Sequence, residues 1–355
     1  MKKINGIQQI GIGVSNLYEA WKWYKQVFGM DVRVFEDDAV AELMLPYTGG
    51  EPRKRHAGLA VNMQGGGGFE IWQYKGRIPQ PATFAIQAGD VGIYAAKVKS
   101  KGIHASYKHI IEAGAEVPGG IVAGPDGREH FFVRDPFGNL FDVVESGSWF
   151  SDEKKHGGGT YGAVIGVADI DKSLAVYSGI LGYDQTVYDK SGVFADLDNL
   201  PGGKGKFRRV LLSHSVKPTG GFTRLFGESR IELMQALDRK PERIFRDRLW
   251  GDLGFIHLCF DINGMSDLKR ECAEKGFPFT VDSHANLGES FDMGEAAGHF
   301  SYIEDPDGTL LEFVETHKVP ILKALGISID MRKRDPEKNL PDWLVRGLRF
   351  NRFKG

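Results

Sequence analysis

VSNLYEAWKWYKQVFGMD, residues Val14–Asp31, returns in the second half of the chain as VADIDKSLAVYSGILGYD, residues Val167–Asp184. Val, Tyr, Gly and Asp coincide without a gap, and most apolar positions match. An alternating apolar strand precedes each copy. Each then opens a helix at a polar residue able to cap it (Asn16, Asp169) and ends at a glycine suited to the helix C-terminus (Gly29, Gly182).

A second repeat lies downstream of each first one. Arg134–Glu145 reads RDPFGNLFDVVE and Glu304–Glu315 reads EDPDGTLLEFVE, a turn signal leading into a strand. The repeats divide the chain into four βαβββ modules, at about 5–78, 86–146, 160–238 and 252–316. Two modules make a first half, 1–146, and two make a second, 160–316. The polar, glycine-rich stretch 147–159 reads as the linker between halves. The chain from 317 to 355 fits no module. There NLPDWLVRGL has a helix-start signature, with Trp343, Leu344 and Leu348 expected on one face of a clasp against the sheets.

Composition narrows the function classes. The chain has 355 residues, 41% of them apolar and 26% charged, which fits a soluble globular protein with a substantial core. Its 45 basic and 47 acidic side chains nearly cancel, so no electrostatic footprint for nucleic acid or an anionic membrane exists. No apolar run approaches the length of a membrane span. The two cysteines, Cys259 and Cys272, fall in one module, which argues against a disulfide framework and for a reducing, cytoplasmic setting. The glycines at 65–68 lack the lysine and following helix of a phosphate loop and read as a hairpin or mobile loop. His130 and His299 stand at different distances from their turns, which argues against a shared role, and His214 reads as a pocket or surface residue.

The phrases IQQIGIGVSNLYEAWKWYKQVFGM, GFIHLCFDI and DPDGTLLEFVE resemble the vicinal-oxygen-chelate superfamily, the group that contains glyoxalase I, bleomycin resistance proteins and extradiol dioxygenases. The resemblance covers roughly residues 5–316. It implies an α+β fold of four βαβββ modules paired into two cupped, eight-stranded, barrel-like sheets. It also implies one metal ligand from the first strand of a module and one from the last. Those positions hold Gln9 and Glu70 in module one, Ile93 and Asp142 in module two, Gly162 and Glu232 in module three, and His257 and Glu312 in module four. Joining module one to module four assembles a complete Gln9, Glu70, His257, Glu312 set like that of animal-type glyoxalase I. Joining two to three leaves a degenerate site. Joining one to two and three to four would leave two three-ligand sites. Fungal-type glyoxalases with four modules in one chain pair outer with outer, and that is the expectation here.

One strand glutamate ordinarily lies on the solvent face of a half-buried strand, and one buried histidine is ordinarily a satisfied core residue. An acid at the same position of all four modules shifts the reading towards a site. Two carboxylates, an amide oxygen and an imidazole suit a divalent ion such as Zn, Ni, Co, Mn or Fe. Such an ion can bind two adjacent substrate oxygens and stabilise a metal-bound enediolate, with Glu312 or Glu70 as the catalytic carboxylate. The glutathione contacts of animal-type members would fall on Gly13, Tyr74 and Leu253, which cannot supply them. The resemblance therefore implies a divalent-metal-dependent, glyoxalase-like lyase or isomerase for a small substrate other than a glutathione adduct. Two other readings compete with it. One is a non-haem Fe(II) ring-cleaving dioxygenase, whose first histidine would stand where Gly162 does. The other is a non-catalytic binding or resistance protein. The expected partner is a small molecule, with no nucleic acid and no membrane, in a monomer or homodimer.

Overall fold

The computed structural model describes residues 2–284, 291–292, 297–322 and 327–355. Module one supplies β1 (Lys3–Gly13), α1 (Leu17–Phe28), β2 (Val32–Val40), β3 (Lys54–Val61) and β4 (Gly68–Tyr74). Module two supplies β5 (Gly92–Ser100), α2 (Ile103–Glu112), β6 (Val122–Ala123), β7 (Glu129–Arg134) and β8 (Leu140–Glu145). Module three follows with β9 (Gly157–Gly166), α3 (Ile170–Tyr177), β10 (Gln185–Gly192), β11 (Phe207–Ser213), α4 (Thr223–Phe226) and β12 (Arg230–Ala236). Module four has β13 (Gly254–Asn263), α5 (Met265–Glu274), β14 (Val281–Asp282), β15 (Phe291–Asp292), β16 (Ala297–Glu304) and β17 (Leu310–Leu322). A last strand, β18 (Ile327–Asp330), lies in the tail.

The repeated residues act as local physics requires. The Asn16 side chain accepts the amide hydrogens of Tyr18 and Glu19, and Gly29 closes α1 in the left-handed conformation, where a side chain would be strained. Asp169 caps α3 in the same way. That helix stops at Tyr177, short of the expected Gly182, because Gly179 is a poor helix former and an irregular turn carries the chain onward. Each repeated tyrosine reaches the repeated aspartate of the following module. Tyr24 Oη donates to Asp135 Oδ2 at 2.6 Å, and Tyr177 Oη donates to Asp305 Oδ2 at 2.8 Å. The other oxygen of each aspartate accepts two amide hydrogens of its own turn. Each bond lies in the core, where unpaired polar groups would be costly, so helix and turn are tied at a fixed distance.

Two curled sheets result, each with an eight-stranded path. The outer one runs β14-β16-β17-β13-β1-β4-β3-β2, with β15 on β16 and β18 on β17; the inner one runs β10-β11-β12-β9-β5-β8-β7-β6. Each seam is antiparallel, β1 with β13 and β5 with β9. The outer sheet thus joins the first module to the fourth, and the inner sheet joins the second to the third. The main core fills the space between the sheets and helices. Phe141 of β8 packs on Phe69 of β4 and Phe255 of β13, with ring centroids 5.5 and 5.4 Å apart. Alternation along β1 sends Ile10 and Ile12 into this core and leaves Gln9 and Gly11 on the opposite face.

Three expectations need correction. The glycines at 65–68 are buried rather than loose. They form the close approach of the two sheets: a Cβ on Gly66 would lie 1.6 Å from the Leu225 carbonyl oxygen, and one on Gly159 would lie 1.6 Å from that of Gly66. Strand β9 starts at Gly157, so the end of the expected linker is sheet, paired with β5. In the tail, β17 continues past residue 316 and pairs with β18. Met331, Leu340 and Val345 pack with Val32, Leu59 and Val61, whereas Trp343 is 70% exposed. The tail helix spans only Asp342–Arg346; its Leu344, with Leu348 from the following turn, packs against the cluster, and Trp343 does not. Cys259 and Cys272 are free and buried. Among the described residues, no helix is long and apolar enough to cross a membrane.

Candidate metal centre

The outer seam brings Gln9, Glu70, His257 and Glu312 together from four strands of one chain. Strand β1 lies between β4 and β13, and β17 flanks β13, so residues far apart in sequence become neighbours across the sheet. His257 is wholly buried, while Gln9 and Glu312 keep 5% and 7% of their surface. Ligand atoms of Glu70, His257 and Glu312 all lie within 4.8 Å of one another. His257 Nε2 is 3.1 Å from Glu70 Oε2 and 3.1 Å from Glu312 Oε2. The amide of Gln9 donates to Glu70 Oε2 at 3.0 Å.

Three buried atoms of this group make no well-formed hydrogen bond: Gln9 Oε1, and His257 Nε2 and Glu312 Oε2, which face each other at 3.1 Å as an ion pair. Unsatisfied buried polar atoms are rare because each forfeits its solvation. Three of them in one cluster, an amide oxygen, an imidazole nitrogen and a carboxylate oxygen, make a donor set for a divalent cation. Without a cation, burial alone would keep the imidazole neutral, but Glu312 and Glu70 outweigh it and raise His257 to about 10. The site is therefore built to hold positive charge.

Neighbours fix the imidazole. Tyr302 Oη lies 3.4 Å from His257 Nδ1, and the Trp250 ring lies nearly parallel to the imidazole at 6.2 Å. Gly11 stands opposite His257 across the seam. A Cβ there would come within 2.5 Å of the imidazole carbon Cε1, so the ring occupies the space that any larger residue would need. The pattern IGIG reads as strand without revealing this role, because the partner comes from a distant module. The three positions compared with glutathione-binding members are structural. A Cβ on Gly13 would lie 1.9 Å from the Asp252 carbonyl oxygen, Tyr74 Oη donates to the Trp250 carbonyl, and the Leu253 amide donates to the Gln80 carbonyl.

The inner seam superposes on the outer one by register. Gln9 faces Cys259 in the outer sheet, and Gly162 faces Lys97 in the inner one. Cys259 runs beside Glu312, and Lys97 beside Asp142. Gly11, opposite His257, runs beside Glu70; Val164, opposite Ala95, runs beside Glu232. The counterpart of His257 is thus Ala95 and not Ile93. Strand β5 continues to the buried Ser100, two residues beyond the Val98 from which the position was counted. Gly162 cannot carry a ligand, since a Cβ there would lie 1.7 Å from the Arg230 carbonyl oxygen.

Asp142 and Glu232 remain, but they face cations of the chain itself. Lys97 Nζ bridges them at 2.6 and 2.8 Å. Arg209 Nε holds Glu232 at 2.6 Å and Arg209 Nη1 holds Asp196 at 2.7 Å. His130 Nδ1 lies 2.7 Å from Asp142. Burial opposes charge on His130, yet Asp142 and Asp196 raise it to about 9. His299, by contrast, pairs with Asp282, and His214 Nδ1 contacts the Gly182 carbonyl. Lys97, Arg209, Asp196 and His130 escaped sequence reasoning as a group. A charged residue in an alternating strand reads as solvent-facing, and nothing local shows that its counter-charge comes from another strand.

Comparison with known proteins agrees with this architecture. Two models of the glyoxalase/bleomycin resistance protein/dioxygenase superfamily match the chain, over residues 6–143 and 163–293. No curated protein matches the sequence. Among solved structures, glyoxalase I from Zea mays aligns at 12% identity with a TM-score of 0.53, covering 89% of this chain and 92% of that one. A putative dioxygenase from Bacillus subtilis subsp. subtilis str. 168 aligns at 16% identity with a TM-score of 0.54, covering 89% and 86%. At such identities the likeness speaks for the fold. With the repeated modules, the two curled sheets and family matches in both halves, the chain belongs to the glyoxalase/bleomycin resistance protein/dioxygenase superfamily.

Proposed function

We propose that Gln9, Glu70, His257 and Glu312 bind one divalent ion of the Zn, Ni, Co, Mn or Fe class. We further propose that the protein is a lyase or isomerase acting on a small substrate with two adjacent oxygens. The observation that carries this reading is the convergence of ligand atoms of Glu70, His257 and Glu312 within 4.8 Å of one another, beside the buried Gln9 amide oxygen, which makes no hydrogen bond. When bound, the ion would supply Lewis-acid stabilisation of negative charge on two neighbouring substrate oxygens.

The chain's own groups divide the remaining work. Glu70 Oε2 is held by both the Gln9 amide and the imidazole, while Glu312 Oε2 faces the imidazole without a hydrogen bond from Gln9. Glu312 is accordingly the carboxylate freer to take a proton from one carbon and return it to the next, with Glu70 as the fixed anion opposite. Tyr302 and Trp250 hold the imidazole in place. The packed backbone at Gly13 argues against a glutathione-bearing substrate, because no arginine fits there. A donor set with one imidazole also favours this reading over a ring-cleaving dioxygenase, whose iron takes two imidazoles and one carboxylate.

The test uses metal analysis together with proton exchange. The metal-loaded protein is incubated in D2O with a panel of small α-hydroxycarbonyl compounds, and loss of the Cα–H signal is followed by NMR. Glu312→Gln should keep its ion and lose exchange by about 10²–10⁴-fold, the usual worth of a general base. Undiminished exchange in that variant would sink the role of Glu312. A wild-type chain that binds no ion would sink the whole reading, and oxygen uptake with a catechol would favour the dioxygenase.

A further inference from the structure

The inner cluster keeps both carboxylates of a metal site and places an amine between them. Asp142 and Glu232 stand in register with Glu312 and Glu70. Lys97 Nζ lies 2.6 Å from Asp142 Oδ2 and 2.8 Å from Glu232 Oε2. A bound zinc ion would sit ~2.0–2.2 Å from such oxygens, so the ammonium fills the same space at slightly longer reach. The lysine is 5% exposed and both carboxylates are 1% exposed. Three cations, Lys97, Arg209 and His130, face three carboxylates, Asp142, Glu232 and Asp196, so the cluster is balanced without an ion. A small hollow of about 50 Å³ opens beside these residues, room enough for an ion.

We propose that the Lys97 ammonium occupies the cation position of the inner sheet, so that this second site excludes divalent metal, and that loss of Lys97 alone opens it to an ion. The carboxylates keep the amine charged: burial works against the ammonium, but Asp142 and Glu232 outweigh it and push its pKa upward. Removing the amine leaves three carboxylates, Asp142, Glu232 and Asp196, against Arg209 and His130, one positive charge short of balance. A divalent ion supplies the missing positive charge, with two carboxylate ligands in place and an imidazole against one of them. The two halves of the molecule then differ in kind. The outer site takes an exchangeable cation, and the inner one carries a cation encoded in the chain.

Metal analysis of the full chain after Mn²⁺ loading and desalting decides the matter. Lys97→Ala should hold one more ion per chain than wild type, while Lys97→Arg, which keeps a cation, should match wild type. The readout is a difference, so it stands even if the outer cluster fails to bind. A folded Lys97→Ala chain with wild-type ion content overturns the proposal. If Lys97→Ala unfolds in chelator, recovery of its circular dichroism on adding Mn²⁺ supports the proposal, and no recovery overturns it. As a check that leaves Lys97 intact, a His257→Ala/Glu312→Ala chain should retain no ion. An ion retained there at one per chain also overturns the proposal.

Discussion

Replacing Gly11 by alanine should disable the outer cluster through a single methyl group. The backbone at Gly11 is not left-handed, so alanine adds no conformational strain. The cost is steric. The new Cβ would stand 2.5 Å from Cε1, 2.7 Å from Nε2 and 2.8 Å from Nδ1 of His257. Carbon contacts ordinarily settle near 3.5 Å, so the imidazole must retreat by ~1 Å. Ligand distances in metal sites tolerate only about 0.2 Å. A retreat several times larger removes His257 from the donor set. Loss of even a supporting contact costs ~10–100-fold in affinity, so loss of a ligand should cost at least 100-fold, or about 2.7 kcal/mol. Overpacking should lower the stability of the metal-free protein by roughly 1–3 kcal/mol. Metal titration reads the first effect and urea unfolding the second. A double-mutant cycle isolates the cause: in a His257→Ala background the obstacle is gone, and Gly11→Ala should cost almost nothing. An alanine variant with wild-type ion affinity, or a stability loss that persists without His257, would refute the argument.

Three other outcomes follow from the same structure. Burial raises Asp261 to about 7, with Glu315 adding to the shift, against an ordinary value near 3.8. Its neutral form is thus favoured by folding, and that stability is complete below about pH 4 and lost as pH rises through 7. Asp261→Asn should therefore gain stability over wild type at pH 8, by at most about 4 kcal/mol, and lose the advantage by pH 4; a pH-independent difference would contradict this. Phe353 stacks on the buried Trp21 with ring centroids 4.5 Å apart, and its amide donates to the Asp31 carbonyl. Phe353→Ala should cost about 1–3 kcal/mol in urea unfolding by freeing the end of the tail, and an unchanged midpoint would show that the tail contributes nothing. Finally, chelation should lower the melting temperature of the loaded protein, since an ion at 100 times its Kd stabilises by about 2.7 kcal/mol. Chelator should produce little further change in a His257→Ala/Glu312→Ala chain.

Much of this molecule was legible in its sequence because the relevant physics is local. The caps at Asn16 and Asp169, the left-handed Gly29 and the Asp-Pro turns act within a few residues. Their repetition is enough to count modules, and the resemblance to the superfamily then points to Gln9, Glu70, His257 and Glu312. The slip from Ala95 to Ile93 has an equally physical cause. A buried serine at the end of β5 looks like the start of a loop unless its bond to Ser106 is known.

What the sequence could not hold is anything decided by strands that meet only when folded. Which modules share a sheet is settled by the seams of β1 with β13 and β5 with β9. The glycine runs at 65–68 and 157–159 are explained by each other, since each supplies the backbone the other must approach. Lys97 shows the difference most plainly. In sequence it is one polar residue in an alternating strand; in the structure it lies between Asp142 of β8 and Glu232 of β12. Local composition determines which residues are charged. Only the tertiary structure determines whether water, an ion or another side chain balances that charge, because the balance depends on distances of a few ångströms between segments remote in the chain.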